Sequence, residues 1–202
     1  MTQAPAHGTG ERPSCGFDFT HHVGRVCADM AAQLDEFRHI DMARVAVSFR
    51  QTRKRMSRGL YASLTPLQLP AGQTHLIRRG RKWTIQRVNI DGREMLYLLN
   101  FYLPRFLDLC LHEKLTTIAH ELLHISPHFD GDLRRFSGRC YAHSHSHSQF
   151  DSQAEQLAQC WLAREPEQSV YGFLHLDFLR LQALHGRIYG RRIASPKLLP
   201  VE

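Results

Sequence analysis

The sequence has no cysteine pair that could build a zinc ribbon and no apolar run long enough to cross a membrane. Its five cysteines, Cys15, Cys27, Cys110, Cys140 and Cys160, are scattered and odd in number, with no CxxC among them. That set argues against a disulfide frame and for reduced thiols, the state kept in a cytoplasmic setting. No stretch reaches the roughly 18 consecutive apolar residues that a membrane span needs. The opening segment, MTQAPAHGTGERPSCG, lacks the charged-then-apolar layout of a secretory signal. No internal repeat is visible. These absences point to a cytoplasmic globular protein without a membrane partner. With 202 residues, 43% hydrophobic and 22% charged, the chain suits one well-cored domain better than two.

What the sequence does have is positive charge, a net +7. Much of the excess sits in RQTRKRMSR (50–58), RRGRK (78–82) and GRIYGRR (186–192). Such clusters can hold nucleic-acid phosphates by counterion release. Solvated strand ends and turns explain them equally simply, and charge alone favours that plainer account.

Residues 1–16 offer almost nothing to bury and read as a disordered tail ahead of a single domain, 17–202. Val23, Val26, Met30, Leu34 and Phe37 recur at three- and four-residue spacing, the mark of an amphipathic helix of about five turns. ARVAVSF (43–49) alternates and is β-branched, so a strand is expected. GLYASLTPLQL reads as a second strand, at an edge or broken, because Pro66 cannot donate to a ladder. KWTIQRVNI and REMLYLLNFYL flank Asp91-Gly92 and read as a hairpin. A helix is expected from about Asp108 to Ser126, ended by Pro127, and another over 148–165. The fold class is therefore α+β, with an N-terminal helix, a small and mainly antiparallel sheet, and helices after it.

Within the helix before Pro127 lies His-Glu-Leu-Leu-His, residues 120–124. In a chain this rich in histidine, chance alone would spell HExxH in about one sequence in 25, so spacing by itself decides nothing. The helical wheel adds the missing weight. At about 100° per residue, His120, His124 and Glu121 share one side, while Leu111, Leu115, Ile118, Leu122 and Ile125 share the other. Two histidines at i and i+4 can reach one zinc ion, and Glu121 is placed to act on water beside it. A catalytic zinc site wants three protein ligands and an open position. The ion brings the pKa of its water to about 7, and Glu121 would take that water's proton and pass it to a leaving amine.

The third ligand is less clear from the residues. The continuation HxxGxxH is absent, since Pro127 and Asp130 occupy its glycine and histidine positions, which excludes the metzincin pattern. Glu155 on the following helix is one candidate. His143, His145 and His147 in GRCYAHSHSHSQFD are stronger ones, because alternate residues of an extended segment face one side. The plainer account of that run is a nonspecific metal-collecting tract. Arg134 and Arg135 could clamp a substrate carboxylate, but a structural pairing with Asp130, Asp132 or Asp151 is favoured.

TIAHELLHISPHFDGDLRRFSGRCYAH, together with the upstream MLYLLNFYLPRFLDL, resembles the phage metallopeptidase group of small HExxH peptidases, relatives of the SprT-like and minigluzincin proteins. The likeness spans about residues 43–151. It implies a compact zincin-like domain with a short sheet over the HExxH helix and Zn2+ as cofactor. Carried over residue by residue, it implies His120 and His124 as ligands, Glu121 as the catalytic group and His143 as the best match for the downstream ligand. SprT-like proteins often carry a zinc ribbon, for which this chain has no cysteine pairs, so their DNA-linked roles transfer weakly. The leading expectation is a zinc metallopeptidase acting on a peptide or protein. The alternatives are a nucleic-acid-associated protein whose metal is structural, and an amidase acting on a small molecule.

Overall fold

In the computed structural model, which describes residues 16–52, 59–135 and 147–201, the apolar spacing near the start of the chain becomes a buried helix face. A short strand β1 (Phe17–Asp18) leads into α1 (Phe19–Gln33), whose first turn is capped by the Asp18 carboxylate accepting from the His21 N–H at 3.0 Å. Val23, Val26, Met30, Leu34 and Phe37 are all buried. The helix ends earlier than its spacing suggests, because Leu34 is extended and Phe37 belongs to a separate 3-10 turn.

The next elements are β2 (Val45–Gln51), β3 (Ala62–Pro66), β4 (Leu76–Arg78), β5 (Arg81–Ile85), β6 (Asn89–Ile90), β7 (Arg93–Glu94) and β8 (Tyr97–Leu103). Three of them, in the order β2-β8-β3, form the sheet that bears on the site. β2 runs parallel to β8, with Val45 opposite Tyr97, and β3 runs antiparallel to it, with Ala62 opposite Phe101. The sheet is therefore mixed rather than mainly antiparallel. Asp91 and Gly92 do make the expected turn, with φ of 51° and 77°, but it joins only the two-residue β6 and β7. The long arms find other partners. Six of the seven residues of β8 are buried, so it takes the central position that a strand covered on both faces requires. β5 pairs instead with β4 and with the C-terminal β10 (Leu198–Pro200).

The helices are α2 (Leu111–Leu123), α3 (His147–Leu162), α4 (Gln168–Tyr171) and α5 (Phe178–His185); β9 (Ile188–Tyr189) then pairs in parallel with β1. The described residues thus form an α+β fold of five α-helices and small sheets. None of these helices is long and apolar enough to cross a membrane. α2 packs between β3 and α3, and α3 presses Ala154, Ala158 and Trp161, all buried, against the core. The Trp161 indole N–H reaches back to the Asp29 carboxylate on α1 at 2.7 Å, satisfying a polar atom that burial would otherwise orphan. Lys114 is also buried, although it lies on the helix that carries the motif. Its ammonium donates to the carbonyls of Leu174 and Leu176 at 2.8 and 2.9 Å and so ties α2 to the C-terminal segment.

Candidate metal centre

α2 starts from Cys110, whose N–H donates to the Glu113 carboxylate at 3.0 Å in a capping box. That bond and the Cys110 thiol hold the Glu113 carboxyl below its usual range. From this start the helix turns Leu115, Ile118 and Leu122 fully into the core, and its last residues carry the motif. His124 is the C-cap, still in αR conformation, so His120 and His124 keep the one-turn relation of a regular helix.

The two imidazoles converge. Their Nε2 atoms lie 3.2 Å apart. A point about 2.05 Å from each nitrogen would see them at an angle of about 100°, close to tetrahedral, so the pair fits a zinc ion. The same spacing suits an Nε2–H···N bond between two neutral rings. The other side of His120 fits either arrangement, since a bare Nε2 can bind a metal or accept from His124. Its Nδ1 lies 3.1 Å from the Asp151 carboxylate on α3. A proton held on Nδ1 by that carboxylate leaves the Nε2 lone pair facing His124, which is the tautomer a metal ligand needs. Phe150, buried beside Asp151, packs against both imidazoles with ring centroids 4.9 and 4.8 Å away, limiting how far either can turn.

Glu121 is buried on the flank facing the sheet. Tyr102 N–H bonds Tyr61 C=O and Leu67 N–H bonds Leu96 C=O, so the odd-numbered residues of this stretch pair with β8. Ala62, Leu64 and Pro66 therefore turn their backbone outward, and β3 is an edge strand ending in proline, as the sequence suggests. The outward Leu64 N–H donates to the Glu121 carboxylate. Burial pushes this carboxyl up to about 7, and the Leu64 bond offsets only part of that rise.

Behind His124 the chain doubles back. Ile125 bridges Leu133, and the Arg134 N–H donates to the His124 carbonyl at 2.8 Å. The loop between is held by Tyr97 of β8, whose hydroxyl donates to the Asp132 carbonyl at 2.8 Å and accepts from the Gly131 N–H at 3.0 Å. Gly131 has φ +84°, and a Cβ there would lie 2.4 Å from Gln68 Cγ, so glycine is required. Both arginines of this loop sit in structural pairs: Arg135 with Asp132 at 2.8 Å and Arg134 with Glu36 at 2.7 Å. His39 lies beside Arg134, and its pKa is lowered by burial and then by that guanidinium.

The structure thus brings His120 and His124 together with Asp151 and Phe150, while Glu121, the residue after His120, faces Leu64. Glu155 lies one turn beyond Asp151 and meets His112 at 3.1 Å. His143 and His145 lie outside the described residues, and His147 opens α3. Among the described residues no group of three metal-binding side chains is assembled. The chain leaves these residues at Arg135, just after the bond to His124, and returns at α3, whose first turn leads to Asp151 at His120. Neither a family model, nor a curated protein, nor a solved structure matches this chain.

Proposed function

We propose that the protein is a zinc-dependent metallopeptidase of zincin-like fold. The observation that carries this reading is the convergence of the His120 and His124 Nε2 atoms to 3.2 Å with an Asp151 oxygen on His120 Nδ1. Such a carboxylate–histidine arrangement is how metal-ligating imidazoles are oriented. The third ligand is assigned to the downstream histidines, His143 first, with His145 and His147 as alternatives. Zinc held there would supply Lewis acidity to a substrate carbonyl and acidify water near neutral pH.

The chain's own residues account for the proton transfers. Glu121, with its carboxyl raised towards neutrality, can accept a proton from an attacking water and return it to a leaving amine. The Leu64 N–H orients that carboxylate and ties the base to the edge strand. β3 is the edge strand beside Glu121, and with the Leu64 N–H held by that carboxylate an extended chain would pair through the outward carbonyls of Ala62 and Leu64. This favours a peptide or protein substrate over a small amide.

The decisive experiment replaces Glu121 with Gln and follows zinc content and cleavage of an unfolded protein substrate. Zinc should stay bound while hydrolysis falls by at least about 100-fold, the usual contribution of a positioned acid–base group. Equal hydrolysis by the variant would remove Glu121 from the mechanism. Failure of the unaltered protein to hold zinc would remove the metal.

A further inference from the structure

We propose that the ribbon formed by β4 and β5 binds the phosphate backbone of double-stranded DNA, independently of the metal-site reading. From Met42 through Ile90, 49 residues contain 11 lysines and arginines and no aspartate or glutamate. The fold gathers four of these cations, Arg78, Arg79, Arg81 and Lys82, at one exposed hairpin tip. None of the four forms an ion pair among the described residues.

The register makes the tip costly for the isolated protein. Arg78 stands directly opposite Arg81, and like charges facing each other across strands destabilise the pair. Turn chemistry does not explain the arginines. Arg79 and Gly80 take φ of 52° and 73°, the left-handed two-residue turn that Asn-Gly fills at least cost. An anion bridging the guanidiniums would relieve the repulsion, and a cavity of about 490 Å³ opens between Arg78, Arg79, Arg81, Trp83 and Leu198. The Trp83 indole N–H donates to the Arg78 carbonyl at 3.4 Å, bracing that cavity from the strand side.

Shape selects the nucleic acid. β10 pairs with β5 from Trp83 to Ile85 and the Val201 N–H reaches the Lys82 carbonyl at 3.0 Å, so only the turn end, from Arg78 to Arg81, is two-stranded. A two-stranded ribbon fits the B-DNA major groove, about 12 Å wide, whereas the major groove of duplex RNA is too narrow to admit one. A membrane surface fits less well. Ile77, the most exposed large apolar side chain among the described residues, shares its face with Lys82 alone and lies opposite Arg78, Arg81 and Trp83.

The test measures fluorescence anisotropy of a labelled 20-base-pair DNA duplex with the full chain between 50 and 200 mM salt. It compares the unaltered protein, R79N, and the triple variant R78S/R79N/R81S, with circular dichroism to verify folding. The triple variant should lose at least about tenfold in affinity at 100 mM salt, and its log–log salt slope should flatten by about 2.7 for three lost phosphate contacts. R79N preserves and favours the turn, so a loss of about two- to tenfold in that variant reads as a lost contact rather than a lost fold. Unchanged affinity in either variant overturns the proposal. So does absence of binding by the unaltered protein at 50 mM salt, or binding to an RNA duplex or to phosphatidylserine vesicles as tight as to DNA.

Discussion

Replacing Asp151 with Ala tests whether α3 serves the paired imidazoles or merely covers them. Asp151 contacts His120 through Nδ1, the nitrogen turned away from His124. Removing a carboxylate that orients a ligating histidine costs 10- to 100-fold in metal affinity, or about 1.4–2.7 kcal/mol. The Asp151 side chain is 57% exposed, so water can partly replace it, and the lower end, about tenfold, is expected. The assay is zinc competition against a chromophoric chelator at fixed pH, read as Kd. Glu155→Ala is the control, since this carboxylate lies on the same helix but meets His112, and it should leave Kd unchanged. An Asp151 variant with the parent's Kd would refute the orienting role. A loss beyond about 1,000-fold would also refute it, because that size belongs to a direct ligand rather than to an orienting partner.

Three further outcomes follow from the same geometry. Single alanine variants of His143, His145 and His147 should separate into one that loses zinc affinity by well over 100-fold and two that change it little, with His143 expected to be the first; equal small losses in all three would support a nonspecific collecting tract. Tyr97→Phe removes the hydroxyl that holds both Asp132 and Gly131, and should destabilise the fold by about 1–3 kcal/mol in urea denaturation, with faster hydrogen exchange at Gly131. His39 has its pKa lowered by burial, so the unfolded chain binds a proton before the folded one does. Its contribution to stability is therefore present above the unfolded value of about 6.5 and is lost as pH falls below it. His39→Gln should flatten the difference in denaturation midpoint between pH 5 and pH 7.5.

What could be read directly from the residues is what depends on a single element. His120 and His124 converge because i and i+4 neighbour each other on any regular helix, and the buried face of α1 follows from the same periodicity. The wheel also set Glu121 on the polar side with the histidines, yet this residue is buried. Periodicity describes one helix alone, whereas β3 and α3 cover both flanks of α2 and leave it little solvent-facing surface. Lys114 is the same lesson at the other end of the helix. This lysine is buried because two backbone carbonyls 60 and 62 residues later come to meet it. The Asp91-Gly92 turn was legible, but the partners of its arms were not, because the burial of β8 on both faces overrides the short-range pairing that the turn invites.

Asp151 and Leu64 belong to this second kind of information, and they give the motif its chemistry. An HExxH helix in isolation exposes two imidazoles that can share a proton or bind a cation, and a carboxylate with an ordinary pKa. The fold changes each of them by a contact from outside the helix. α3 brings a carboxylate to His120 Nδ1 and the Phe150 ring against both imidazoles, which limits how far either can turn. Burial raises the Glu121 carboxyl to about 7, and the Leu64 N–H of β3 offsets part of that rise. The described residues on either side of 136–146 end at this same place, with Arg134 bonded to the His124 carbonyl and Asp151 of α3 beside His120. On the proposed reading, a ligand drawn from that segment would close a short loop between two ends already held by the fold, which costs little entropy.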